Sequence, residues 1–296
     1  MSALTEAMGL VGDRLVLRAD GLQLGRLGLG PPQNFARPRI LAGAGVPTDT
    51  TQPDGTRWMR TDAPDAFHAH YVSFGGVWTP FGWTAKALSP IAWFRGDVGS
   101  VSSWTDQSGN GNDAPAGSTA PTTTTLGGRP AFSFAGGGWF QNTTTSLVSA
   151  GSVYTVLAVA QALDASGGAF FTIRTGTSDS GSMALTSGGL TYVYTDAVVN
   201  VNFIADIHTE LQSPFLFEDS YNGAGNAVSN RINRSNRATL GGAQGTETGA
   251  TGFFIGKNNA GQPWNGVIAE VVVLARALTS GERAQWENYV LIRYGI

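Results

Sequence analysis

Apolar positions in residues 265–296 change period once. Val267, Ile268, Val271, Val272, Val273 and Leu274 leave only Ala269 and Glu270 between them. Such a near-continuous run predicts a strand covered on both faces, in the middle of a sheet. From Thr279 onward the spacing is helical: Trp286, Tyr289, Val290 and Arg293 recur on one side, Thr279 stands where an N-cap belongs, Glu282 completes a capping box, and Gly295 ends the helix. A strand synthesised last but placed centrally needs an early partner. Ile91, Trp93 and Phe94 supply one, so the fold closes only when its two ends meet.

Between those ends the pattern is of short strands separated by Gly and Ser turns: 131–134, 154–161, 170–174, 190–195, 215–218, 228–232 and 252–255. It predicts an all-β class, a two-sheet antiparallel sandwich with a short C-terminal helix. Ahead of it, residues 14–18 and 22–24 alternate around Asp20-Gly21 and read as a β-hairpin, with Leu27 and Leu29 continuing the spacing. A lone hairpin is marginal in water, so its leucines need burial against other copies of the chain or a neighbouring protein. Pro31, Pro32, Pro38 and the glycines up to Gly45 read as an extended linker, and strands near 55–62, 67–74 and 77–78 make a small β module. The division is an arm at 1–40, a small module at 41–85 and a main domain at 86–296.

Composition narrows the function. The chain of 296 residues has 41 Gly, 13 Pro and no Cys, which excludes disulfides, thiol catalysis and Cys-ligated zinc. Charged residues are 13% of the chain, the net charge is −3, and the 18 Lys and Arg are scattered, so no basic patch recruits nucleic acid. No apolar run approaches the roughly 20 residues needed to span a bilayer, and Met1 to Leu10 lacks the basic start and apolar centre of a signal peptide. The expectation is a soluble protein, not inserted in a membrane and not conventionally secreted.

Two resemblances add to this reading. Gly45-Val46-Pro47, Arg60-Thr61-Asp62 and Gly75-Gly76-Val77-Trp78 resemble a short module frequent in bacteriophage fibre and adhesin proteins. Trp93, the loop Trp104 to Asp113, Arg129 to Phe134, Phe254-Ile255-Gly256, Trp264 to Val271, Arg276 to Thr279 and Tyr294-Gly295-Ile296 resemble, in that order, the laminin-G-like branch of the concanavalin A-like lectin and glucanase superfamily. This implies a jelly-roll sandwich with its first and last strands adjacent, and core or inter-sheet packing for Trp93, Trp104, Trp264 and Trp286. Glucanases of that superfamily carry a Glu-x-Asp-x-x-Glu strand, and no such run occurs here. Glu218-Asp219 puts its carboxylates on opposite faces, Glu282 and Glu287 belong to the helix, and Glu270 reads as a structural hydrogen-bonding group. Around His208 no nucleophile elbow accompanies the histidine.

Three groups of residues are candidate sites. Sugars are held by aromatic rings beside amides and carboxylates, which singles out Trp139, Tyr192, Tyr194 with Asp196, and Tyr221 with Asn222. Asp106, Ser108, Asn110, Asn112 and Asp113 could surround calcium, although their spacing departs from the EF-hand and Asx turns explain the same residues. His68 and His70 share a strand face, so three chains about an axis would offer six imidazoles to a transition metal. No cofactor is required. The expectation is a non-enzymatic bacteriophage virion protein of tail-fibre, receptor-binding or head-fibre type. Its arm binds other virion proteins, its copies form a homo-oligomer, a trimer by preference, and its lectin-like head binds host-surface glycan. The alternatives are a decoration or adaptor protein that binds no sugar and, less favoured, a polysaccharide depolymerase.

Overall fold

A computed structural model describes residues 16–18, 21–23, 40–44, 46–48, 50–52, 54–60, 70–74, 76–80, 82–149, 152–164, 168–175, 178–186, 189–194, 199–205, 208–221, 228–240, 251–258 and 261–296. The terminal strand, Gly266–Leu274, is buried at every residue. It pairs antiparallel with Tyr154–Ala162 on one side. Its other side is shared: Ile268 faces Phe132, while Val271, Val272 and Val273 face Phe94, Trp93 and Ala92. The tail of the chain therefore closes beside Trp93, as the apolar run requires.

The eight-stranded sheet runs Thr122–Leu126, Arg129–Ser133, Gly266–Leu274, Tyr154–Ala162, Phe215–Tyr221, Val228–Ile232 and Ser235–Leu240, with Ala92–Arg95 also on the terminal strand. A six-stranded sheet runs Phe140–Asn142, Gly252–Ile255, Gly168–Thr175, Ser178–Thr186, Gly189–Tyr194 and Val199–Ala205. Between them lies an aromatic core that includes Phe94, Trp104, Phe132, Phe140, Phe171, Phe217, Phe253 and Trp264. All pairings within both sheets are antiparallel.

A second apolar layer explains why the terminal strand does not alternate with polar residues. Val272 and Leu274 point away from the inter-sheet core and pack with Trp83, Leu88, Trp93, Trp286, Tyr289, Val290 and Tyr294. The helix Ser280–Tyr294 is thus laid on the outer face of the eight-stranded sheet, its start fixed by the Thr279–Glu282 capping box and its end by Gly295 in the left-handed region. Arg276 donates to both Glu282 oxygens, and that bond is the main reason the Glu282 carboxyl is pulled down to about 2.

Two smaller sheets precede the sandwich. Val16–Arg18 pairs with Gly21–Gln23, Leu17 opposite Leu22, giving the expected hairpin. The small module is a four-stranded sheet of Ile40–Gly43, Arg57–Arg60, His70–Phe74 and Val77–Pro80. Its first strand falls in the stretch read as linker. It is short, and its parallel pairing with Arg57–Arg60 is held by tertiary placement rather than by any local apolar pattern. The module meets the helix where Asn288 Nδ2 donates to Thr79 Oγ1 at 3.2 Å.

Candidate functional site

The carboxylates come first, because hydrolytic chemistry on this fold would need a pair of them. Glu270 is fully buried. Its Oε1 accepts from Trp93 Nε1 at 2.6 Å and its Oε2 from Tyr289 and Tyr294 hydroxyls at 2.9 and 2.6 Å. Burial pushes its carboxyl above the usual range against those three donors and the Arg293 charge, and burial likewise raises both tyrosines, with the Glu270 charge adding to it. This cluster stitches the helix to the terminal strand, the structural role expected of Glu270.

Glu218 and Asp219 do lie on opposite faces. Glu218 takes a two-pronged Arg283 guanidinium at 2.8 to 2.9 Å, which raises the Arg283 pKa, while fully buried Asp219 accepts from Asn230. Asp97 is bonded by Arg95 and Arg293; burial pushes its carboxyl up, but those two hydrogen bonds outweigh it and hold it below the usual carboxylate range.

The oxygen-rich loop is assembled around its own N–H groups. Asp106 Oδ1 accepts from the Trp93 and Ser108 amides at 2.9 Å, and Oδ2 from Ser108 Oγ at 2.7 Å and the Asn112 amide at 2.9 Å. Asp113 Oδ1 accepts from the Asp106 amide, and the Asn110 and Asn112 side chains donate to the Ile91 carbonyl. The five residues read as calcium ligands are brought together, with Asp106 aimed at four protein donors, and they pin the start of the strand Ala92–Arg95. Among the described residues, no group of three His, Asp or Glu is placed to share a metal ion. His68 lies outside the described residues, and His70 opens its strand opposite Met59.

Of the sugar-binding candidates, Tyr221 is corrected. It is fully buried and packs against Tyr154 in a tilted pair with ring centroids 5.5 Å apart. The strand runs on to Tyr221, and two-residue alternation puts it on the same inward face as Phe215 and Phe217. Tyr192 and Tyr194 lie in the six-stranded sheet, Tyr192 opposite Met183 and Val201. Asp196 and Asn222 lie outside the described residues.

Trp139 is half-buried and leads into the edge strand of the six-stranded sheet. Its neighbours there are set by register. Phe140 pairs with Ile255 and both face the core, so Gln141 and its partner Phe254 face outward. Gly256, at φ +92°, turns the chain out of the sheet, and Lys257 folds back so that its Nζ lies 3.8 Å from the Trp139 ring centroid and 4.6 Å from that of Phe254. The indole is also backed by Gly117, where a Cβ would fall 1.9 Å from Trp139 Cε2. Its Nε1 donates to Gln141 Oε1 at 3.2 Å. The loop carrying Lys257 is stapled by Asn258, which donates to Gln262 Oε1 at 2.7 Å and accepts from the Gln262 amide at 2.9 Å. The ring singled out as a sugar-stacking candidate is thus part of a mixed corner of indole, phenyl, amide and ammonium. Lys257 carried no sequence signal, since a single lysine after a strand is ordinary.

Among the described residues, the apolar layer over a sheet's outer face belongs to the eight-stranded sheet. The Trp139 corner lies on the outer face of the other sheet.

The chain is an all-β jelly-roll sandwich with one C-terminal helix, the lectin-like architecture that the resemblance implied. No protein-family model matches the sequence, and no match is found among curated proteins. Solved structures do match in fold. A structure of botulinum neurotoxin type C superposes with a TM-score of 0.51 and 13% identity, over 70% of this chain and 53% of that one. The binding domain of botulinum neurotoxin DC gives 0.53 and 14%, over 70% and 52%. Trypanosoma rangeli sialidase gives 0.50 and 16%, over 73% and 34%. The chain thus spans about half the length of the neurotoxin structures and a third of the sialidase, and at these identities the likeness is one of fold.

Proposed function

We propose that this chain is a non-enzymatic, glycan-binding virion protein of a bacteriophage. The observation that carries the binding part is the placement of the Trp139 corner. The helix covers the outer face of one sheet, and the outer face of the other presents an aromatic, an amide and a cation side by side, the mixture that holds saccharides. Two fold neighbours support it. Botulinum neurotoxin type C depends on interaction with two ganglioside molecules to enter cells, and the trypanosomal sialidase was captured with a difluorinated keto-deoxy-nononic acid. The non-enzymatic part is supported by the engagement of Glu218, Glu270 and Asp97 with arginine, tyrosine and tryptophan donors. The virion part rests on the resemblance of motifs within residues 45–78 to fibre modules and on the hairpin leucines Leu17 and Leu22, which need cover from repeated copies or a neighbouring virion protein.

The test uses the full chain on an array of bacterial surface glycans, alongside particles carrying it. Binding to a defined set of glycans without release of reducing sugar is the expected result, with loss of the protein from particles when residues 1–40 are deleted. An array without a single bound glycan would assign the head to decoration, steady release of reducing ends would make it a depolymerase, and normal incorporation of the deletion would end the anchoring role.

A further inference from the structure

A cleft of about 430 Å³ opens just past the end of the C-terminal helix, lined by Ser213, Pro214, Leu216, Asn233, Arg234 and Ile296. That volume is within the usual range for small-molecule sites. The floor is apolar: Leu216 is buried, and with Ile296 it belongs to the layer between helix and sheet. Ser213, Asn233 and Arg234 form an exposed polar rim.

The rim is built around a hairpin tip. Ile232 pairs with Ser235, so Asn233 and Arg234 make the whole turn, at φ +47° and +70°. Two-residue turns with both centres at positive φ prefer Asn followed by Gly. Asn suits the first place, but a long charged residue in the second sits where glycine is easier, and such an outlier argues for a use of its side chain. The tip is also anchored. Asn233 Oδ1 accepts from the Leu216 amide at 3.0 Å, the Asn233 amide donates to the Leu216 carbonyl at 2.9 Å, and Asn233 Nδ2 donates to Glu210 Oε1 at 3.2 Å.

Arg234 Nη2 donates to the Glu287 main-chain carbonyl at 3.2 Å, which orients the guanidinium without cancelling its charge. The carboxylates around it are engaged by other residues: Glu287 by Arg231 at 3.0 Å, Glu218 by Arg283 at 2.8 Å, and Glu210 by Asn233. Among the described residues Arg234 joins no ion pair. A guanidinium is a rigid fork of N–H donors that matches a carboxylate or a phosphate through two parallel bonds.

Beyond the glycan-binding reading and independently of it, we propose that this cleft binds a small organic oxyanion. Its carboxylate or phosphate lies on Arg234, with the Ser213 hydroxyl as a further donor, and its apolar body rests on Pro214, Leu216 and Ile296. A bare inorganic ion would leave that floor in water, so the body contributes to binding as well as the head.

The test titrates the full chain with benzoate and phenyl phosphate, beside benzyl alcohol, which has the ring without the charge, and inorganic phosphate, which has the charge without the ring. At least one of the two organic anions is expected to saturate with a Kd of about 1 mM or below, at least about tenfold tighter than either control. The tighter of the two names the head group. Its affinity should fall as sodium chloride rises, and it should slow amide exchange in residues 213–216 and 232–235. Arg234→Asn removes the charge and suits the positive φ, so it should abolish the preference at an unchanged melting temperature, while Arg234→Lys should keep part of it. Failure of both organic anions to saturate, equal binding of either control, slowed exchange that misses both segments, or a preference that survives Arg234→Asn would overturn the site. None of these results bears on the glycan array, whose outcome decides the binding function separately.

Discussion

Glu270→Ala is expected to lower the melting temperature by about 10 °C, with Glu270→Gln costing much less. The alanine leaves three donors, Trp93 Nε1 and the Tyr289 and Tyr294 hydroxyls, buried without their acceptor. Each orphaned group costs about 1–3 kcal/mol, and because the three share one acceptor the total is set at about 3–5 kcal/mol rather than their sum. For a domain of this size each kcal/mol moves the midpoint by about 2–4 °C. The damage is concentrated at the join between helix and terminal strand, so exchange of helix amides should rise before that of the inter-sheet core.

The glutamine variant also reports the sign of the Glu270 titration. Burial raises this carboxyl in the folded state, so between the unfolded pKa and the raised folded pKa the native protein binds the extra proton. Its contribution to stability is complete below the unfolded pKa and lost as the pH rises through the folded one. Asp97 and Glu282 are held low and act oppositely, contributing above the ordinary carboxylate range and losing that contribution in acid. Subtracting the Glu270→Gln curve from the wild-type curve cancels both. The deficit of Glu270→Gln should be largest in acid and shrink toward neutrality; a deficit that grows with pH would show that the donors, not burial, dominate.

Trp104→Ala is the second large effect. The ring is fully buried, with centroids 5.0 Å from Phe132 and 5.4 Å from Phe140, and it joins aromatics of the two sheets. Its indole N–H donates to the Arg95 carbonyl at 2.9 Å. Removing a core tryptophan costs about 3–5 kcal/mol, and the abandoned carbonyl adds about 1 kcal/mol or more. Trp104→Phe refills most of the space and should cost less than half as much. Urea unfolding should show the midpoint falling at unchanged slope; an unaffected midpoint for Trp104→Ala would mean that this end of the sandwich is not packed as described.

The parts of this architecture that could be read from sequence are those where two independent local signals coincide. Residues 267–274 are apolar without alternation, and a capped amphipathic helix follows at once, so one stretch supplied both the doubly covered strand and the element that covers it. Other strands stayed hidden for physical reasons. Thr122–Leu126 is a run of threonines, and Ser178–Thr186 is largely Ser, Gly and Ala. Such strands form because neighbours supply a hydrogen-bonding edge, not because their own side chains demand burial. Tyr221 was misplaced because its strand runs three residues beyond Glu218, and alternation then carries the tyrosine inward. For the oxygen-rich loop, composition permitted a calcium cage as well as the Asx turns that the spacing favoured. Which way Asp106 points is a tertiary fact, fixed by the amides of Trp93, Ser108 and Asn112. Lys257 belongs with these, because only the pairing of Gln141 with Phe254 brings Trp139 beneath its ammonium.

The central claim is that ligand meets the outer side of the six-stranded sheet. Hydrogen–deuterium exchange of the full chain, with and without the tightest glycan from the array, tests it most directly. Slowed exchange across residues 139–142 and 252–258, with the helix Ser280–Tyr294 unchanged, is the predicted result. Slowing confined to that helix, or to neither region, would contradict the account.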